Sequence, residues 1–331
     1  MKQETFIARH EREWERLETW LKLRLPRKKD TDSGVDARRP LRSEDFPHAY
    51  RRVCQQLALA RTRAYSPQLV DRLQVLVQAG HERFYRTRRP EWRVVQRFVA
   101  AGFPSLVRRE WRYIAVSALL LYGPMLLMVL LTRYRPELIY SVYPPEMVGQ
   151  FESMYDPTQH TQTIGRDSAS NLAAFGFYVM HNVSIGFQTM AGGLFAGIGS
   201  LFALLSNGVM IGAVGGYLTA VGFGGTFWTF VSGHSAWELS AIVISGGAGL
   251  KLGWSLLAPG RAGRASALVG AGREAALLAL GAFLMLVVAA FIEAYWSSIV
   301  WLPAAVKYSV GGAMWVVVFT WLGMGGRHAP R

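Results

Sequence analysis

The chain has 331 residues, 51% of them hydrophobic, with 36 Lys+Arg against 22 Asp+Glu for a formal net charge of +14. Its single cysteine, Cys54, excludes an intramolecular disulfide framework. No Gly-rich phosphate loop, Ser/His/Asp set, Cys pair, HExxH motif or nucleic-acid-binding signature is present, which leaves no catalytic class favoured and argues for no nucleic-acid partner.

Residues 1–112 hold 26 Lys+Arg against 14 Asp+Glu, a surplus of 12, so nearly all the excess charge precedes the first long apolar run. Beside a membrane span, such a surplus marks the cytoplasmic side. The first twenty residues are charged rather than apolar, which reads as no cleavable signal peptide, with the first span as the insertion signal. Residues 4–24 carry Phe6, Trp14, Leu17 and Leu21 at helical spacing. Residues 26–42, PRKKDTDSGVDARRPLR, lack apolar periodicity and read as a linker. A second helix is expected after Ser43 or Asp45 as the cap, with Pro47 in its first turn. Pro67 opens a third, and Pro90–Ala101 is a fourth that Gly102 and Pro104 are expected to break. Residues 1–112 thus form a basic cytoplasmic helical domain.

Tyr113 to Thr132 reads YIAVSALLLYGPMLLMVLLT, long enough to cross a bilayer as a helix. Residues 133–170 hold Arg133, Arg135 and Arg166 against Glu137, Glu146, Glu152, Asp156 and Asp167, a net acidic external loop. Further spans are expected at 173–205, 208–226, 235–258, 274–295 and 304–323. The basic PGRAGR loop at 259–264 and the tail 324–331 belong inside, which favours six crossings over seven and puts both termini in the cytoplasm. The segment 173–205 is too long for one straight span, and Gly192 and Gly193 offer a break. The expected architecture is an all-α, polytopic bundle occupying 113–323 of an inner (cytoplasmic) membrane. Aromatics at the external ends, Phe227, Trp228, Tyr295, Trp296 and Trp301, fit an interfacial belt.

Small residues dominate the centre. Gly208, Gly212 and Gly216 form a GxxxGxxxG ridge, and Gly193/Gly197 and Gly249/Gly253 repeat its spacing. Such ridges let backbones approach closely, either within one chain or across a homodimer. Polar residues inside apolar spans are expensive and face the protein interior or a wet cavity. His181, Asn182, Gln188, Asn207, His234, Glu238, Lys251 and Glu293 are of this kind. His181, Asn182, His234, Glu238 and Glu293 fall toward the external leaflet, Lys251 falls in the inner half, and Asn207 is expected at the inner turn between the second and third spans. His234 and Glu238 are four residues apart and share a helix face. They fit three roles: a cluster that fixes helix register, a proton, ion or solute path, or a metal site completed by Glu293. No cofactor motif is found.

The stretches GHSAWELSAIVISGGAGLKLGW (233–254), IEAYWS (292–297), SNGVMIG (206–212) and HNVSIGF (181–187) resemble the stage II sporulation protein M family. So do GFPSLVRREW (102–111) and LALARTRAY (57–65). The resemblance implies Asn182, Asn207, His234, Glu238 and Glu293 as the characteristic polar positions. Members in spore formers help assemble peptidoglycan-degrading enzymes at the septal membrane, so the resemblance implies a link to envelope or peptidoglycan remodelling and not a sporulation role as such. Members occur as well in bacteria and archaea that never sporulate, often near genes for MoxR-type ATPases and von Willebrand A-domain proteins. A non-enzymatic envelope scaffold or complex subunit is therefore the first expectation. Its partners would be the bilayer, a second copy and envelope proteins docked on loop 133–170 and the cytoplasmic domain. A transporter or channel subunit using the polar cluster is the alternative, and an intramembrane metalloenzyme on His234, Glu238 and Glu293 is a third.

Overall fold

The computed structural model describes residues 2–21, 41–42, 44–85, 92–160, 168–261 and 263–327, and every regular element among them is helical. Expectations placed on Ser43, Pro90, Arg166, Asp167, Arg331 and most of the 26–42 linker lie outside the described residues. The chain divides into two compact units, Met1–Glu91 and Trp92–Arg331.

The first unit holds α1 (Gln3–Leu21), α2 (Phe46–Thr62) and α3 (Pro67–Tyr85). Helical spacing places Phe6, Trp14 and Leu17 on one face of α1, where all three are fully buried. They pack with Val53, Leu57 and Ala60 of α2 and Leu73 and Leu76 of α3. Burying each large side chain stabilises the unit by roughly 1.5–3 kcal/mol. The Trp14 indole N–H donates to Gln56 Oε1 at 2.7 Å, so its burial leaves no orphan donor. Arg72 ties α3 to α1 through Glu18 (2.8 Å) and Glu11 (3.2 Å). Asp45 occupies the cap position of α2, but its side chain makes no capping hydrogen bond.

In the second unit, α4 (Trp92–Arg97), a π-turn (Phe98–Gly102) and α5 (Phe103–Arg109) follow one another without the expected break at Gly102 and Pro104. Pro104 falls in the first turn of α5, where its missing N–H matters least, and the wider π-turn before it accommodates the ring. The interruption comes at Glu110 instead. Phe103 then packs against Gly281 and Trp321, so residues 92–109 pack within this unit.

Beyond Glu110 the elements are α6 (Trp111–Tyr134), a 3-10 turn (Pro136–Ser141), α7 (Pro145–Tyr155), α8 (Pro157–His160) and α9 (Ser168–Ala191). There follow α10 (Ile198–Ala220), α11 (Gly224–Ser232), α12 (Ser235–Leu257), α13 (Arg264–Phe291) with a π-turn at Ile292–Ser297, and α14 (Ala304–Met324). Five of these, α6, α10, α12, α13 and α14, are long and apolar enough to cross a membrane. The 24-residue α9 packs beside them on α12 and α13. Leu119, Leu126, Leu127 and Leu130 of α6 are exposed on the bundle's outside, an arrangement suited to hydrocarbon as solvent.

The helix break expected at Asn207 lies elsewhere. The chain turns at 192–197, where Gly197 adopts φ +86°, and α10 then runs unbroken through Asn207 and Gly208. Asn207 stays helical by donating its side-chain amide to the Ala203 carbonyl at 2.7 Å. Gly208 is required for packing, not for a turn. A Cβ at Gly208, Gly212 or Gly216 would collide with the backbone at Leu121, Met125 and Val129 of α6, respectively. The constant offset makes α6 and α10 parallel. Gly193 likewise abuts Gly249, and Gly253 abuts Gly197, which sets α9 and the turn after it against α12. All three glycine ridges are therefore engaged within one chain. The third predicted span also ends early, because Gly222 (φ +92°) turns the chain before the separate α11.

Candidate functional site

Two polar clusters lie at opposite ends of α12. The first is built on its N-terminus. His234 occupies the cap position and Glu238 sits one turn on, which brings His234 Nε2 within 3.6 Å of Glu238 Oε2. Glu293 arrives from the π-turn after α13, and ligand atoms of His234, Glu238 and Glu293 all lie within 4.8 Å of one another. The same π-turn supplies Ser297, whose Oγ is 3.0 Å from His234 Nδ1. Asn182 of α9 donates from Nδ2 to Glu293 Oε2 at 3.4 Å. Asn182 and His234 are 2% and 5% exposed, so the bulk of this polar surface is withdrawn from solvent. Single-residue widening of a helix by a π-turn re-aims side chains, and here it directs one carboxylate and one hydroxyl toward the same imidazole.

A cavity of about 770 Å³ opens onto this cluster. His181, His234 and Glu238 lie on its wall, and Met125, Val214 and Trp315 supply much of its apolar lining. At the same end, Tyr217 donates to Glu152 Oε1 at 2.5 Å and Thr226 bonds the Tyr155 carbonyl, which ties α7 to α10 and α11. Burial pushes the Tyr143 phenol, on the loop beside the cavity, up to about 12.

Of the eight polar residues singled out in the sequence, Asn182, His234, Glu238 and Glu293 come together. His181 stacks on Phe177 and faces the cavity rather than the carboxylates. Among the described residues, Asn207 hydrogen-bonds within its own helix, to the Ala203 carbonyl.

The second cluster surrounds Lys251. Its ammonium pairs with Glu110 at 2.7 Å and with Glu274, and Arg109 bonds both Glu274 and Glu110, the latter at 3.1 Å. At 1.5 Å rise per residue, Glu238 and Lys251 stand about 20 Å apart along α12. Burial raises the Glu110 carboxyl, and the hydrogen bonds and charges of Lys251 and Arg109 outweigh it, holding it below the usual carboxylate range. Sequence reading found Lys251 but not its partners. The signal was available: a lysine inside an apolar run requires an anion at its own depth, and Glu110 and Glu274 border the flanking runs.

The sequence model of the stage II sporulation protein M family matches residues 114–298, more than half of the chain. The chain belongs to the stage II sporulation protein M family. The match spans both clusters except Arg109 and Glu110, and it covers α6 through the π-turn that carries Glu293 and Ser297. The family thus accounts for a multi-pass membrane protein built on α6–α13. A second model, a domain of unknown function (DUF8413), matches residues 4–86, nearly the whole first unit. No curated protein and no solved structure matches.

Proposed function

We propose that this stage II sporulation protein M family member is a non-enzymatic membrane subunit that holds together an assembly of the cell envelope. One observation carries this reading. The compact unit Met1–Glu91 has its own family model over 4–86, distinct from the model that matches the membrane unit. A separately folding module beside a membrane anchor is the build expected of a docking subunit. The basic surplus of residues 1–112 favours a cytoplasmic position for this module, in an inner membrane crossed six times with α9 as the sixth span. The alternating directions of α9, α10, α12 and α13 agree with six crossings. A second copy of the chain would have to dock on faces other than the Gly208–Gly212–Gly216 ridge, which α6 covers.

Co-purification tests the reading. The full chain, extracted in mild detergent, is expected to retain a membrane or envelope partner that a 92–331 truncation loses. Recovery of both forms alone, or equal retention by both, removes the docking role of the first unit.

The cavity that opens onto His234 and Glu238 favours a second reading, a transporter or channel subunit. Reconstituted vesicles should then show an ion or solute flux that Glu238→Gln abolishes in a protein still monodisperse. A flux that is absent, or equal in both proteins, discards this reading.

A further inference from the structure

The three groups at the head of α12 share a chemical problem. His234 Nε2, a Glu238 oxygen and a Glu293 oxygen converge within 4.8 Å. Neither carboxylate has an ion pair with Lys or Arg among the described residues. The buried ammonium of Lys307 bonds the Ser297 carbonyl at 2.9 Å instead. Ser297 Oγ lies 3.0 Å from Nδ1 and can accept from Nδ1–H, the tautomer that turns the Nε2 lone pair toward the carboxylates. In that tautomer three acceptors converge in an apolar surrounding, an arrangement that a shared cation satisfies.

We propose that His234, Glu238 and Glu293 bind one divalent transition metal ion, zinc by preference, at the wall of the cavity. Imidazole with carboxylates is a donor set that suits zinc, and the ion's two charges offset those of the two carboxylates. Donors held at about 2.1 Å with tetrahedral angles stand about 3.4 Å apart. The 3.6 Å between His234 Nε2 and Glu238 Oε2 already meets this, and Glu293, within 4.8 Å of both, closes the site by a shift of about 1.5 Å at most. Ser297 fixes the ring through Nδ1, and Asn182 orients the Glu293 carboxylate, the outer-shell contacts that metal-bound histidine and carboxylate require. Three protein donors leave a fourth position open, and two of the donors, His234 and Glu238, line the cavity. The site does not depend on the docking role proposed for the first unit.

The test is elemental analysis of the full chain, purified without chelator into lipid nanodiscs, followed by cobalt titration of the chelator-stripped protein. The expected result is about one zinc per chain, with visible cobalt d–d bands on reloading. His234→Ala and Glu293→Gln should bring metal content below roughly a tenth of that. Ser297→Ala keeps all three donors and should weaken cobalt binding roughly ten- to a hundredfold. A folded wild-type protein that holds no metal and takes up no cobalt overturns the proposal and leaves a proton-sharing cluster. Metal retained in full by the folded variants overturns it too, by placing the ion elsewhere. If the donor variants do not fold, the wild-type titration alone decides.

Discussion

Gly212→Leu is expected to abolish stable assembly of the membrane unit, whereas Gly123→Leu is expected to leave it intact. Both glycines lie in the contacting helices α6 and α10, so the two substitutions make similar changes in composition and hydropathy. They differ in surroundings. A Cβ at Gly212 would meet the Met125 backbone, while nothing lies within 4 Å of a Cβ at Gly123. Backbone cannot rotate aside as a side chain does, so α6 and α10 must separate and lose contact along the whole ridge. Overpacking typically costs about 1–3 kcal/mol, and backbone displacement along a whole ridge places this substitution at the upper end or beyond. Lipid does not restore what is lost, because apolar helices have no hydrophobic incentive to remain together in hydrocarbon. Gly123 instead faces outward, where a leucine joins a lipid-facing surface and improves helix propensity. Thermal stability by size-exclusion after heating reads the difference. Equal melting of the two variants would mean that α6 and α10 do not pack along this ridge.

That glycine pattern also marks how far sequence reading reaches. Spacing alone announced close helix packing, because only tight contact makes repeated loss of side chains advantageous. It could not say which helices pair, since Gly208, Gly212 and Gly216 carry no information about the Leu121–Met125–Val129 surface that meets them. The same limit explains the misplaced turn. Ser206–Asn207–Gly208 has the composition of a loop, and only the presence of α6 shows that Gly208 is there for proximity. Asn182, His234, Glu238 and Glu293 were legible because hydrocarbon makes each of them costly, whatever the fold. Their common depth toward the external leaflet was legible as well, but not that their side chains meet, which depends on the π-turn at 292–297, whose extra residue has no composition of its own. Glu110 was overlooked for a related reason. It looked like one more charge in a basic stretch, and its importance comes from lying beside Lys251.

Lys251→Met should destabilise the protein by about 3–5 kcal/mol near neutral pH, the usual effect of removing one partner from a buried ion pair. Methionine keeps most of the apolar stem, so the loss reflects charge rather than volume. Glu110 and Glu274 would then share Arg109 alone. Adding Glu110→Gln to Lys251→Met should recover part of the loss, because the second change removes a carboxylate that no longer has its ammonium. Acidity supplies an independent check. The folded-state Glu110 carboxyl lies below the usual carboxylate range. Its contribution is therefore present above the unfolded value, about 4.3 for Glu, and is lost as pH falls through the folded value. In the Lys251→Met background the carboxyl loses its strongest partner, so its protonation relieves an uncompensated charge instead of breaking a pair. The stability gap between the two proteins should consequently narrow as pH falls from about 7 toward about 4. Melting temperatures in nanodiscs across that range measure it, and a gap that stays constant would show that Lys251 contributes through packing and not through Glu110.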